Sequence, residues 1–242
     1  MLKEKSYSGS LADTGRIRIM QAKNALPVKS LILPAAMISF GAISLNNKGL
    51  KTINHKIREE LWIEEPHKKA GVDNFLQFSP AIAVYALNIA GVKGKNNLRD
   101  RTMIYTLSNL IMSSSVFALK RITHEQRPDG SDYLSFPSGH TATAFAAAEF
   151  MRQEYKDVSP WYGIAGYAAA SATGYLRMYN NKHWLGDVVA GAGIGILSTR
   201  AAYWLYPAIK RKLFHDKPVN SMLMPYYQPG KGAGLSFVMK LQ

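Results

Sequence analysis

WLGDVVAGAGIGILSTRAAYWLY, Trp184 to Tyr206, runs for 23 residues with two charges, Asp187 and Arg200. Crossing a bilayer as a helix takes about 20 predominantly apolar residues, with a range of about 17 to 25, so this stretch is long enough to span. Upstream lie five more runs nearly free of charge: Val28–Leu45, Phe75–Val92, Met103–Leu119, Thr141–Met151 and Trp161–Leu176. The first three are also long enough. The fourth and fifth are short, and the fourth gains length if its helix begins at Ser138 and Arg152 and Lys156 snorkel at its far end. The expected fold is all-α, a transmembrane six-helix bundle over residues 28–206. A polar N-terminal segment (1–27) precedes it and a basic, Gly/Pro-containing tail (207–242) follows.

Two connecting regions carry patterns of their own. Between the first two runs, Asn47 to Asp73 is polar, with Ile53, Ile57, Leu61, Trp62 and Ile63 at mostly helical spacing. This predicts a short amphipathic helix lying on the membrane surface or, equally, a solvated helix packed on the core. In the tail, Pro229, Gly230, Gly232 and Gly234 lead into Leu235–Leu241, which partly alternates apolar and polar residues and predicts a short strand or an extended tail.

Composition sets outer limits. The 242 residues are 47% apolar and 19% charged, which excludes a disordered or low-complexity chain. With no cysteine, a disulfide framework, a thiolate zinc site, an iron–sulfur cluster and a Cys nucleophile are excluded. The mean hydropathy of −0.12 is low for a membrane protein. Lys and Arg number 30 against 16 Asp and Glu, but they are spread along the chain rather than gathered in one tract with interleaved aromatics, so no nucleic-acid partner is expected.

The cations also orient the bundle. A cytoplasmic N-terminus puts eighteen Lys and Arg inside and eleven outside, which with Arg200, inside the last run, account for all 30. The positive-inside rule favours that topology. Residues 1–27 contain no apolar core of signal-peptide type, so the chain is not marked for secretion.

Three polar stretches interrupt the apolar pattern: Lys120–Pro128 (KRITHEQRP), Phe136–Thr141 (FPSGHT) and Arg177–Asp187 (RMYNNKHWLGD). If the six helices alternate in direction, all three meet at one face. Lys120, Arg121 and Arg127 make a cationic corner suited to phosphate, a guanidinium offering a planar fork and an ammonium a point charge. Ser138 can cap the helix that follows, and Gly139 lets a ligand approach the N–H groups of the helix start, with His140 beside it. Four residues separate His183 from Asp187, so the two share a helix face, and the carboxylate can orient the imidazole for attack while Arg177 adds a further cation. Each stretch alone has a plain structural reading as well: a basic helix end, an N-cap, a capping pair. A zinc site from His140, His183 and Asp187 is the sharpest competitor. Lys120, Arg127 and Arg177, converging on one face, would repel a dication and attract a phosphate dianion, so neither metal nor cofactor is expected.

Taken in order, Lys120-x6-Arg127-Pro128, Pro137-Ser138-Gly139-His140 and Arg177-x5-His183-x3-Asp187 resemble the type 2 phosphatidic acid phosphatase superfamily, in its bacterial membrane lipid phosphatase branch. The resemblance runs over about Val28 to Tyr206. It implies that Lys120, Arg127, Ser138, Gly139 and Arg177 hold phosphate, that His183 becomes a phosphohistidine oriented by Asp187, and that His140 protonates the leaving alcohol and later activates water. It further implies a phosphorylated lipid as substrate (phosphatidic acid, phosphatidylglycerophosphate, a polyprenyl diphosphate or a lipid A phosphate) and a multi-pass protein of the bacterial inner membrane with its site facing the periplasm. One departure stands out: the family usually has Ser before the third-motif Arg, and here that residue is Leu176. A soluble periplasmic acid phosphatase, a vanadium haloperoxidase and a non-catalytic binder of anionic lipid remain as competing readings.

Overall fold

The computed structural model describes residues 28–214, 221–228 and 232–239, with side chains to residue 212, so the predicted polar segment 1–27 lies outside the described residues. Contacts divide the chain into two compact units, one up to Trp204 and one from Leu205.

Each apolar run is largely helical, the second in two pieces, and the helix of the last run continues past the boundary at Leu205. α1 (Val28–Ser44) precedes α2 (Lys48–Arg58), which Asn47 caps through its side-chain oxygen on the Leu50 N–H and which ends in a π turn, Glu59–Ile63. A helix, α2, thus stands in the stretch predicted to be amphipathic, with Leu61, Trp62 and Ile63 in the π turn beyond it. None of its residues is fully buried, and it turns 91° away from α1. The second run is broken into α3 (Asp73–Leu76) and α4 (Ser79–Ile89), because Pro80 in the first turn of α4 starts a new helix rather than continuing the old one. Then come α5 (Leu98–Thr123), α6 (Gly139–Tyr155), α7 (Pro160–Tyr179) and α8 (Leu185–Phe214). Eight α-helices are described where six bundle helices and one connecting helix were predicted, the extra one arising from the break in the second run.

The helices differ in what surrounds them. α5 buries Arg101, Ile104, Ser108, Met112 and Val116 on one face, while Leu110, Phe117 and Ile122 on the other are more than half exposed. An apolar face turned outward over a 26-residue helix is the pattern of a membrane-contacting helix. α6 is the reverse, with Ala142, Ala144, Ala146, Ala147, Ala148 and Phe150 wholly buried. It is an interior helix packed among α4, α5 and α7, which is why its apolar run is short: it is wrapped by protein rather than lipid. Among the described residues, α5 and residues 185–212 of α8 are long and apolar enough to cross a membrane by themselves, and α1 with α2 qualifies only as a bent pair. Four runs were expected to be long enough to span; by length and composition two helices qualify, or three with the bent pair counted as one.

Small residues set the spacing that the site depends on. A Cβ at Gly191 would lie 2.5 Å from the Ser138 carbonyl oxygen, and one at Gly195 would collide with that of Ala142. Glycine four residues apart on α8 therefore lets its backbone lie directly against the start of α6.

In the second unit, β1 (Ser221–Gln228) and β2 (Gly232–Met239) pair antiparallel, from Ser221 opposite Met239 to Gln228 opposite Gly232. The tail is therefore a two-stranded hairpin and not a single extended piece. The glycine-rich stretch supplies half of it, and the partner Ser221–Gln228, which contains Pro225, carries no alternation that would have marked it as a strand.

Candidate active site

The last turn of α5, the start of α6 and the α7–α8 junction carry the three motifs, and hydrogen bonds tie these pieces together. The Asp187 backbone carbonyl accepts from the Ser138 N–H at 3.0 Å, joining the third motif to the second. Lys120 Nζ donates to the Leu134 carbonyl and, at 3.4 Å, to that of Ser135, joining the first motif to the approach of the second. α7 ends at Tyr179, and the turn to α8 is made by Asn181 at φ 55°, a left-handed conformation that asparagine tolerates better than most residues. The Lys182 and His183 N–H groups then both donate to the Arg177 carbonyl, which folds the histidine back over the arginine.

Asp187 is almost fully buried and held on several sides. Its Oδ2 accepts from Ser135 Oγ at 2.5 Å and from the Trp184 N–H at 2.9 Å, and lies 3.4 Å from His183 Nδ1. The last contact is at ion-pair distance but short of full hydrogen-bond alignment, and His183 Nδ1 meets no other partner. Catalytic hydrogen bonds are often this loose before a ligand docks. Burial pushes the His183 pKa down to about 4; Asp187 opposes that shift, and Lys120 and Arg127 reinforce it. At neutral pH the imidazole is uncharged, with Nε2 facing away from the carboxylate.

The cations converge with the histidines. Arg177, Arg127 and Lys120 all bear electrostatically on His140, and Lys120 and Arg127 on His183. Two of the three cations are held by carboxylates: Arg127 Nε donates to Asp132 Oδ1 at 2.7 Å and Arg177 Nη1 to Asp73 Oδ2 at 2.5 Å. Arg177 Nε, also buried, meets no protein partner. Ser138 caps α6, its Oγ accepting from the Thr141 N–H at 3.4 Å. A Cβ at Gly139 would meet Val116 at 3.8 Å and nothing nearer, so packing within the protein does not demand glycine there. His140, in the first turn of α6, has Nε2 2.9 Å from Asn74 Oδ1, and burial followed by the Arg177 charge lowers its pKa from 6.5. Among the described residues no three His, Asp or Glu side chains are grouped to hold a metal ion.

Three residues with direct roles in this geometry escaped sequence reasoning. Ser135 stands one residue before the second stretch and was available as a buried hydroxyl donor. Asp73 and Asn74 open α3, more than sixty residues from the groups they touch, with no local signal to single them out.

The sequence profile of the PAP2 superfamily matches residues 101–211. A lipid A 1-phosphatase of Porphyromonas gingivalis is 34% identical over 198 residues, 81% of this chain and 42% of that protein. A lipid A 4′-phosphatase of Bacteroides thetaiotaomicron is 34% identical over 102 residues, 42% of this chain and 40% of that protein. The chain thus spans about two fifths of the length of the curated relatives it matches. The crystal structure of Aquifex aeolicus LpxE superposes with a TM-score of 0.48 at 20% identity, over 62% of this chain and 94% of that one. The profile match encloses all three motifs, from Lys120 to Asp187, so residues 101–211, a little under half of the chain, carry the pattern of the PAP2 superfamily.

Proposed function

We propose that this protein is a metal-independent lipid phosphatase that works through a phosphohistidine, and that the phosphate of a lipid A-type glycolipid is its leading substrate among the lipid phosphates of the family. Residues 28–206 carry the activity. The observation that supports this reading most directly is a buried, uncharged His183 backed by Asp187, with Lys120 and Arg127 bearing on it and, together with Arg177, on His140. The two lipid A phosphatases among its relatives support the choice of lipid.

In the first half-reaction Lys120, Arg127 and Arg177 hold the phosphate oxygens, with the Gly139 N–H and Ser138 at the helix start. His183 Nε2 attacks phosphorus, the P–N bond forms as the P–O bond to the lipid breaks, and His140 delivers a proton to the departing oxygen. Asp187 stabilises the imidazolium character that grows on His183. In the second half His140 takes a proton from water, whose oxygen displaces His183 from phosphorus and releases inorganic phosphate. Three fixed cations can neutralise the transferring group, as a metal does in other phosphoryl transfers. Outward apolar faces such as that of α5 support a protein of the bacterial inner membrane. The lipid tails then remain in the bilayer while the phosphate enters from the periplasmic side.

The test is phosphate release from a panel of lipid and water-soluble phosphates in detergent with EDTA present, comparing the wild type with His183→Ala. Hydrolysis of a lipid phosphate by the wild type alone, with an acid-labile, base-stable phosphoenzyme trapped during turnover, is the expected result. Activity on soluble esters only, or only with added metal, overturns the proposal.

A further inference from the structure

Residues 54–74 lie outside the matched segment 101–211 and carry none of its motifs, yet they are fastened across the site. Asn54 Oδ1 accepts from the Gly186 N–H at 3.3 Å, and Arg58 Nε donates to Asn181 Oδ1 at 3.0 Å. His67 stacks on Tyr179 and its Nε2 lies 2.9 Å from that residue's carbonyl oxygen. Asn180 exchanges two 2.8 Å hydrogen bonds with the backbone of Ala70, one through each end of its carboxamide. After this strap, α3 presents two consecutive side chains to the chemistry: Asp73 to Arg177 and Asn74 to His140. Asp73 is buried, while Asn74 is exposed and makes no other hydrogen bond through its side chain that would explain its placement.

We propose that Asn74 is a positioning residue for His140: its carboxamide oxygen accepts the Nε2–H and leaves Nδ1 as the nitrogen through which protons pass. This rests on the phosphatase reading above. As an acid His140 carries hydrogen on both nitrogens, so the atom at Nε2 must be an acceptor in that state, which matches the carboxamide oxygen at 2.9 Å. When the P–O bond breaks, the Nδ1 proton goes to the lipid oxygen. When water attacks, Nδ1 takes its proton as the P–N bond to His183 breaks. The Nε2–H stays with Asn74 throughout, so the ring keeps one orientation through both halves. Asp187 plays the same part for His183, but with a carboxylate. A neutral amide suits His140 because the groups facing it are Arg177 from α7, Lys120 from α5, Arg127 from the following loop and Asp73 from α3. A second carboxylate beside Asp73 would give those cations another resident anion to compete with phosphate.

The experiment uses the full chain in detergent and single-turnover release of the leaving group from two esters, for wild type, Asn74→Leu and Asn74→Asp. One ester is phosphatidic acid, or lipid A if the panel prefers it, whose alkoxide must be protonated to leave. The other is p-nitrophenyl phosphate, whose phenolate leaves without a proton. Asn74→Leu is expected to slow release from the lipid ester by about tenfold to a hundredfold, within what a general acid supplies, and release of nitrophenolate by less than about threefold. Asn74→Asp keeps an acceptor and recovers release from the lipid ester, with a raised KM and the alkaline limb of its pH profile at higher pH. Equal losses on both esters, or no loss on either, overturn the proposal. If Asn74→Leu fails to fold, the Asn74→Asp pH profile decides, an unshifted limb being the overturning result. A wild type silent on both esters overturns the phosphatase reading itself and the proposal with it, an outcome distinct from an active wild type with equal losses in the variants.

Discussion

Besides Glu149, which Arg152 and Arg200 share, two sets of buried arginine–carboxylate pairs in the helical unit treat their charges in opposite ways. Where α5 begins and α6 ends, Glu154 accepts from Arg101 Nε at 3.2 Å, from the Asn96 N–H and side-chain amide at 3.1 and 2.6 Å, and from Tyr203 Oη at 2.6 Å. Every lone-pair direction of that carboxylate has a use, and Arg101 and Glu154 balance each other. Where α5 ends and α6 begins, Lys120, Arg127 and Arg177 outnumber Asp73 and Asp132, while Asp187 is committed to His183. Each region leaves one guanidinium nitrogen without a protein partner, Arg101 Nη1 and Arg177 Nε, so an orphaned donor does not by itself mark a site. What separates them is surplus charge beside a nucleophile. A closed pair contributes specificity of packing, whereas an open set of cations is poised for an external anion.

The sharpest break in that comparison comes from removing the nucleophile. His183→Ala is expected to lower kcat by about four orders of magnitude, roughly 5.4 kcal/mol of barrier, while thermal unfolding in detergent changes little, because Ser135 and the Trp184 N–H still satisfy Asp187. The reciprocal experiment is Glu154→Ala. It strands Arg101, which is 1% exposed, and is expected to cost about 3–5 kcal/mol of stability. Turnover per folded molecule should remain that of the wild type, read by activity normalised to the folded fraction. A Glu154 variant that stays stable but loses turnover would erase the distinction drawn between the two regions.

Ser135→Ala tests how far the open region depends on its supports. The Ser135 hydroxyl is buried and 2.5 Å from Asp187 Oδ2, a hydrogen bond to a charged group, which contributes about 1.5–3 kcal/mol. Its removal is expected to reduce kcat about tenfold through a less constrained Asp187, with KM nearly constant because no phosphate contact is lost. Steady-state kinetics on the lipid substrate separate the two parameters.

Much of this was legible in the sequence, and the limits have physical causes. The motif residues from Lys120 to Asp187 are local patterns, readable because the chemistry needs fixed residue types at short spacings. The apolar runs were readable as helices, but hydropathy cannot tell a helix wrapped by lipid from one wrapped by protein, and so α6 was taken for a short span. Asp73 and Asn74 were illegible because their meaning arises only when the strap is laid across the α7–α8 junction, 104 residues in sequence from Arg177 and 66 from His140. β1 was illegible because its pattern does not alternate and its strand character rests on pairing with 232–239.

The smallest expected effect, and the one that ties the open region to its charge, is in the pH dependence of kcat/KM, which reports the free enzyme. His183 must be neutral to attack. Its pKa near 4 means that activity is lost only as the pH falls through about 4, on the acid side. His140 must be protonated to deliver its proton, and its pKa lies below 6.5, so activity falls as pH rises through that lower value, by about tenfold per unit beyond it. The optimum is therefore expected between about pH 4 and pH 6.5. Both shifts have burial as their main cause, but only at this site do Lys120 and Arg127 add to it for both histidines. Lys120→Met should accordingly move the two limbs together toward higher pH, whereas Glu154→Gln, in the balanced region, should leave both where they are. Limbs that move with Glu154 and not with Lys120 would mean that the histidines sense the fold as a whole and not the cations gathered around the phosphate position.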